Sequence, residues 1–122
     1  MSGRANGFTL VELLIVMVLI ATLSAIAVPQ MIGTRERVLL ATMRHDLRNL
    51  TTAQEAYFAD FQRYSGNMSS FTVGYRPTTN VQITLGNATG TGWDAQAAHL
   101  QTALTCSISY NHGTGSGVPT CP

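Results

Sequence analysis

Residues Phe8 to Thr34 read FTLVELLIVMVLIATLSAIAVPQMIGT, and Glu12 is the only charged side chain among them. From Leu13 to Thr34 the chain carries 22 consecutive uncharged residues. As a helix that run spans about 33 Å, against a hydrocarbon core of about 30 Å. Length and composition therefore make it a membrane-spanning candidate. A buried core helix is the alternative, but 122 residues have too little mass to cover such a helix on every side.

The rest of the composition narrows the field. A chain of 122 residues holds one domain, which excludes a multidomain machine or a large α/β enzyme. Charged residues make up 11% of it and the net charge is +1, which excludes a strongly basic nucleic-acid binder. Hydrophobic residues reach 45%, enough for a packed core. Lysine is absent, and all seven basic side chains are arginine.

An ordinary secretory signal peptide also begins with a basic residue and an apolar run. Arg4 and the small-x-small triplet Ala25-Ile26-Ala27 supply its two ends. The apolar run is too long for that reading, and a carboxylate stands near its start. Glu12 needs an explanation of its own, since a carboxylate near a bilayer interior costs on the order of 2–3 kcal/mol unless it snorkels or pairs. No lysine or arginine lies within a helical turn of it. A free amine, made by cleavage nearby or offered by another chain, would serve.

Gly7-Phe8-Thr9-Leu10-Val11-Glu12 follows a short leader with Arg4 and precedes an apolar run with Pro29. That arrangement resembles the type IV pilin and pseudopilin family. The resemblance implies a leader of residues 1–7, cut by a prepilin peptidase between Gly7 and Phe8, with methylation of the new Phe8 amine. It implies that Glu12 pairs with the amine of a neighbouring subunit during assembly, and that Pro29 kinks the helix. It also implies an inner-membrane assembly platform as a partner. The precursor would sit in the bacterial inner membrane and the product in a cell-surface or extracellular pilus. Elementary electrostatics agrees, because removing one member of a buried ion pair costs about 3–5 kcal/mol. Arg35, Arg37, Arg44 and Arg48 follow the apolar run, and a count of basic residues alone places that flank in the cytoplasm. The downstream cysteines and the family's orientation of its precursor favour the opposite topology.

Beyond the apolar run, Leu40, Met43, Leu47, Leu50, Gln54, Tyr57, Phe61 and Tyr64 recur in steps of three and four. That period predicts a helix with one buried face, packed against a following domain in preference to a coiled coil. Arg37, Arg44, Arg48 and Glu55 are expected on the opposite face. One helix is expected from Phe8 to Tyr64, membrane half over 8–34 and amphipathic half over 35–66, with Gly66 as its C-terminal cap. Pro29 and Gly33 weaken it locally. Five arginines and five carboxylates lie between Phe8 and Tyr64, a balance that suits lateral packing of like subunits. Asp60 and Arg63 are spaced to pair locally.

Residues 67–122 form the last unit, rich in Ser, Thr, Asn and Gly. Phe71–Tyr75 and Val81–Leu85 alternate as strands, joined by a turn over Arg76–Asn80. Thr105–Tyr110 is a further strand, and Trp93–His99 a less clear one. The sum is an α+β fold, a long N-terminal helix on a small antiparallel sheet. Cys106 and Cys121 are the only cysteines, and an even pair in a secreted domain reads as one disulfide. It encloses the glycine-rich Gly113–Gly117 loop. His99, His112 and Asp94 follow no metal-ligand spacing, and a calcium site needs more carboxylates than Asp94 alone. Secretion pseudopilins typically carry an acidic calcium-binding loop near the end. Lacking one and having a terminal cysteine pair, this chain looks more like a type IV pilin. Three Asn-x-Ser/Thr triplets, at Asn49, Asn67 and Asn87, carry little weight in a bacterial-type chain.

No nucleophile and base, phosphate loop or metal cluster emerges, so no catalytic, cofactor-binding or metal-binding residue is assigned. The expected function is structural: a homo-oligomeric pilus subunit. A secretion pseudopilin and a secreted binding domain are the alternatives. The exposed part offers only Arg63 and Arg76, so strong nucleic-acid binding is not expected.

Overall fold

The computed structural model describes residues 3, 6–71, 75–111 and 115–122, without the side chain of residue 32. The chain divides into two units, Met1–Arg35 and Glu36–Pro122. One helix, α1 (Leu10–Phe61), passes through both. Three strands follow in the second unit: β1 (Val81–Ala88), β2 (Trp93–His99) and β3 (Thr105–Tyr110).

In the first unit every large apolar side chain named from Leu10 to Met31 is exposed, from 50% at Val16 to 74% at Leu10. Thr22 and Thr34 turn their hydroxyls back to the carbonyls of Leu19 and Gln30, both at 2.9 Å. Neither hydroxyl therefore needs water, as a helix in hydrocarbon requires. Helical geometry continues through Pro29.

The second unit is a helix on a sheet. The strands form an antiparallel meander in the order β1-β2-β3, with Leu85 opposite Ala95 and Ala97 opposite Cys106. Alternation along β2 turns Trp93, Ala95, Ala97 and His99 inward. Met43, Leu47 and Leu50 of α1 share one core with Trp93, Ala95, Ala97, Cys106 and Ile108. The β1 register shifts between Leu85 and Ala88. There the Asp94 carboxylate accepts the Asn87 N–H at 3.0 Å and fills the space that a Cβ on Gly86 would occupy. The Trp93–His99 strand is therefore real, and so are those beginning at Val81 and Thr105. The expected Phe71–Tyr75 strand and Gly113–Gly117 loop lie partly outside the described residues.

The helix ends differ from expectation. It starts at Leu10 and stops at Phe61, so Tyr64 lies beyond it. Gly66 is not its cap. Gln62 adopts the left-handed conformation instead, with φ 55°. Its N–H reaches the Phe58 carbonyl at 2.8 Å, and its side-chain amide lies 3.4 Å from the carbonyls of Phe58 and Ala59. Phe61 is correspondingly 58% exposed, stacked on Tyr57. The early stop also removes the geometry for an Asp60–Arg63 pair, and these two form no ion pair. Tyr64 returns to the core, stacking on Phe58 and donating to Glu55 at 3.1 Å. Burial and the Glu55 carboxylate both push its phenol above the ordinary range.

Two buried polar groups tie the loops to the helix. Asp46 accepts the N–H and the hydroxyl of Thr78, both at 2.8 Å, and its backbone carbonyl accepts the Tyr75 hydroxyl at 3.2 Å. Burial, then Asp46, raise the Tyr75 phenol above its usual value. Gln54 is fully buried and grips Ser65 at both backbone groups, accepting its N–H at 2.9 Å and donating to its carbonyl at 2.8 Å. Gln54→Ala strands both groups in the core, each at about 1–3 kcal/mol. Thermal unfolding of the full chain in detergent should show a loss of at least about 2 kcal/mol. A loss under about 0.5 kcal/mol, the level of an ordinary surface substitution, would remove Gln54 from this role.

Candidate processing and assembly site

The N-terminal segment is built around the first turn of α1. Gly7 is exposed, and no atom lies within 4 Å of where a Cβ would stand. The Gly7–Phe8 bond is thus open on its glycine side. Phe8 is 85% exposed. Thr9 then caps the helix. Its Oγ1 accepts the Glu12 N–H at 3.3 Å, while the Glu12 Oε2 accepts the Thr9 N–H at 2.8 Å. This reciprocal pair is a capping box, and it satisfies two of the amides that a helix start leaves free. Glu12 also sits in the first turn, where the helix dipole favours negative charge.

Glu12 therefore has a local partner, which its lack of a nearby cation had left out of view. Thr9 is the functional residue the sequence reading passed over. Its signal was plain: a Thr three residues before a Glu at the head of an apolar run. The structure brings Thr9 and Glu12 together and leaves Gly7 and Phe8 bare. Pro29 lies inside α1, far along the chain from this group.

At the other end, Cys106 and Cys121 are joined, with a Cα–Cα distance of 4.3 Å. Cys106 is fully buried in the sheet core. Ser107 and Thr120 exchange backbone hydrogen bonds at 2.9 and 2.8 Å, so the tail runs back along β3. Gly117, at φ 73°, donates to the Ser109 carbonyl at 2.8 Å. Of the residues considered for metal, His99 accepts the Gln101 N–H through Nδ1 at 3.1 Å and Asp94 holds Asn87. His112 lies outside the described residues. Among the described residues no three His, Cys, Asp or Glu side chains converge on one point.

Residues 3–28 match the family model described as the prokaryotic N-terminal methylation motif. The chain is 32% identical over 98 residues to the type IV wide pilus major component PilA4 of Thermus thermophilus, covering 79% of this chain and 75% of that protein. It is 42% identical over 62 residues to the type IV major pilin protein PilA of Myxococcus xanthus, covering 51% of this chain and 28% of that protein. It is 33% identical over 61 residues to the type II secretion system core protein G of Pectobacterium carotovorum subsp. carotovorum, covering 50% of this chain and 39% of that protein. The match to the Thermus protein thus extends over most of both chains, while the other two span less than half of their relatives. With the methylation motif, the exposed apolar helix and the disulfide-closed sheet domain in one molecule, this chain belongs to the type IV pilin family.

Proposed function

We propose that the chain is a structural subunit of a type IV pilus filament, with no catalytic role. Residues 1–7 are a leader removed by a prepilin peptidase, and the Phe8 amine is then methylated. Residues 8–34 hold the precursor in the inner membrane until an assembly platform extracts it to the cell surface. Residues 35–66 and 67–122 form the part displayed outside the membrane. The observation that carries this reading is the bare apolar surface of α1 from Leu10 to Met31. Exposed in water it is untenable, but lipid accommodates it before assembly and the helices of other copies accommodate it afterwards. The unit boundary after Arg35 supports the same division. In the assembled state Glu12 receives a subunit's Phe8 amine, which selects axial register more than it adds stability. Pro29 lacks the N–H that would bond the Ala25 carbonyl, which makes that turn the place where the helix can bend.

A secretion pseudopilin is the second reading, favoured by the similarity to the type II secretion core protein over half of this chain. The longer match to the wide-pilus component supports the first.

Mass spectrometry of the N-terminal peptide from sheared cell-surface material tests the proposal. The expected product begins at a methylated Phe8. A start near Val28 would mean an ordinary signal-peptidase cut within α1, and the filament reading would fall with the helix. Long sheared filaments, as opposed to short periplasmic ones, separate pilus from pseudopilus.

A further inference from the structure

Among the described residues, no ion pair joins the exposed Arg, Asp and Glu side chains of α1 in the second unit. Arg37, Arg44, Arg48, Glu36, Glu55 and Asp60 are all exposed, and none forms an ion pair among the described residues. Arg44 and Arg48 stand four residues apart, where like charges repel. A helix stabilised by its own surface would carry a carboxylate at one of those positions.

Their angular distribution is equally uneven. Met43, Leu47, Leu50 and Gln54 mark the line that faces the sheet. At about 100° per residue, Arg37, Arg44 and Arg48 centre about 120° to one side of that line, and Asp60 lies about 100° to the other. Glu55 shares the basic flank, two turns beyond Arg48, and holds the Tyr64 hydroxyl. Asp60 is exposed and forms no side-chain bond among the described residues. One flank therefore carries a row of three arginines with Glu55 beyond it, and the other carries the Asp60 carboxylate near its C-terminal end with Arg35 at its far end; among the described residues neither these arginines nor Asp60 has an ion-pair partner.

We propose that the Arg37, Arg44 and Arg48 flank of α1 docks on the Asp60 flank of a second copy of this chain. The inference rests on the filament reading above and adds which surfaces meet. A two-fold contact through the basic flank sets arginine against arginine and is repelled. A contact between opposite flanks brings unlike charges together and leaves the Asp60 flank of one copy and the basic flank of the other unused. Such a heterologous contact does not close on itself and propagates as a helical filament. Exclusion of water between adjacent helices strengthens the attraction, and salt weakens it in the residues that stay exposed.

Charge reversal in the full-length chain tests this, read as the amount of sheared polymer. Three variants are compared: Arg44→Glu with Arg48→Glu, Asp60→Arg, and all three changes together. Each of the first two is expected to lower the polymer by at least about 10-fold, since like-charge juxtaposition at an interface costs several multiples of RT. The level of oxidised monomer in the membrane should stay unchanged, because these are surface positions. The triple variant should recover to within about 3-fold of the native chain, its charges again being complementary. Native yield from either reversed chain overturns the docking, as does a triple variant no better than the others. If the native chain itself gives no polymer, the filament reading is what fails, and this contact goes with it.

Discussion

Glu12→Ala is expected to leave cleavage at Gly7 intact and to reduce filament yield by at least about 100-fold. The proposed cut, between Gly7 and Phe8, lies before the helix in exposed chain, while the Glu12 carboxylate bonds Thr9. On the proposed reading, assembly depends on the carboxylate twice. It closes the capping box with Thr9, worth about 0.5–2 kcal/mol at the helix start. In the proposed filament it is the counter-charge for an amine, and an unpaired buried amine costs about 3–5 kcal/mol. The second contribution is the larger, and Glu12→Gln separates the two. Glutamine can still close a capping box, but it carries no charge. Glu12→Gln should therefore assemble nearly as poorly as Glu12→Ala. If it assembles like the native chain, the cap is what matters and the amine pairing is wrong. Leader removal is followed by the mass of the N-terminal peptide, and assembly by immunoblot of the sheared fraction.

The motif around that site was readable in the sequence because its elements stand in a fixed order within a few residues. The capping box was equally local, but attention to the missing cation hid it. The buried stripe Met43, Leu47, Leu50 and Gln54 follows directly from helical periodicity. Its last turns do not, because helix termination depends on which residue accepts a left-handed backbone. Gly66 accepts it at least cost. Gln62 takes it instead, since its side chain reaches the carbonyls of the final turn and the chain must turn early to bring Tyr64 back to the core. Asp46 was illegible for a different reason. By spacing it lies beside the buried stripe, where a carboxylate looks like a boundary charge. Its partner Thr78 is 32 residues away, and no local pattern announces such a bond. Trp93–His99 was hard to recognise as a strand because its inward positions after Trp93 are small alanines.

Removing both cysteines, as Cys106→Ala with Cys121→Ala, is expected to cost the sheet domain about 3 kcal/mol, the loop-closure value for a link between residues some 15 apart. For a domain of this size that is a fall in melting temperature of roughly 12–24 °C. Alanine is the proper replacement at position 106, since serine would add an unsatisfied hydroxyl to a fully buried site. Among the described residues the tail's other backbone holds are the Ser107–Thr120 and Tyr110–Ser116 bridges, the Asn111 bond to Gly115 and the Gly117 bond to Ser109. Melting of the oxidised, reduced and double-alanine chains in the same detergent checks this. A shift under about 4 °C, equivalent to less than 1 kcal/mol, would mean that those backbone bonds hold the tail unaided.

The returning tail has a consequence for how this molecule can stick to itself. β3 borders the sheet, and a bare bordering strand offers unpaired amides and carbonyls to any neighbouring chain, the usual route to cross-β aggregation. Here Ser116 and Thr120 occupy that border, and the Cys106–Cys121 link keeps them there. A protein meant to polymerise at high local concentration thus has its sheet plugged on one side by its own last residues. Strand exchange through β3 is closed for as long as the cysteines stay oxidised.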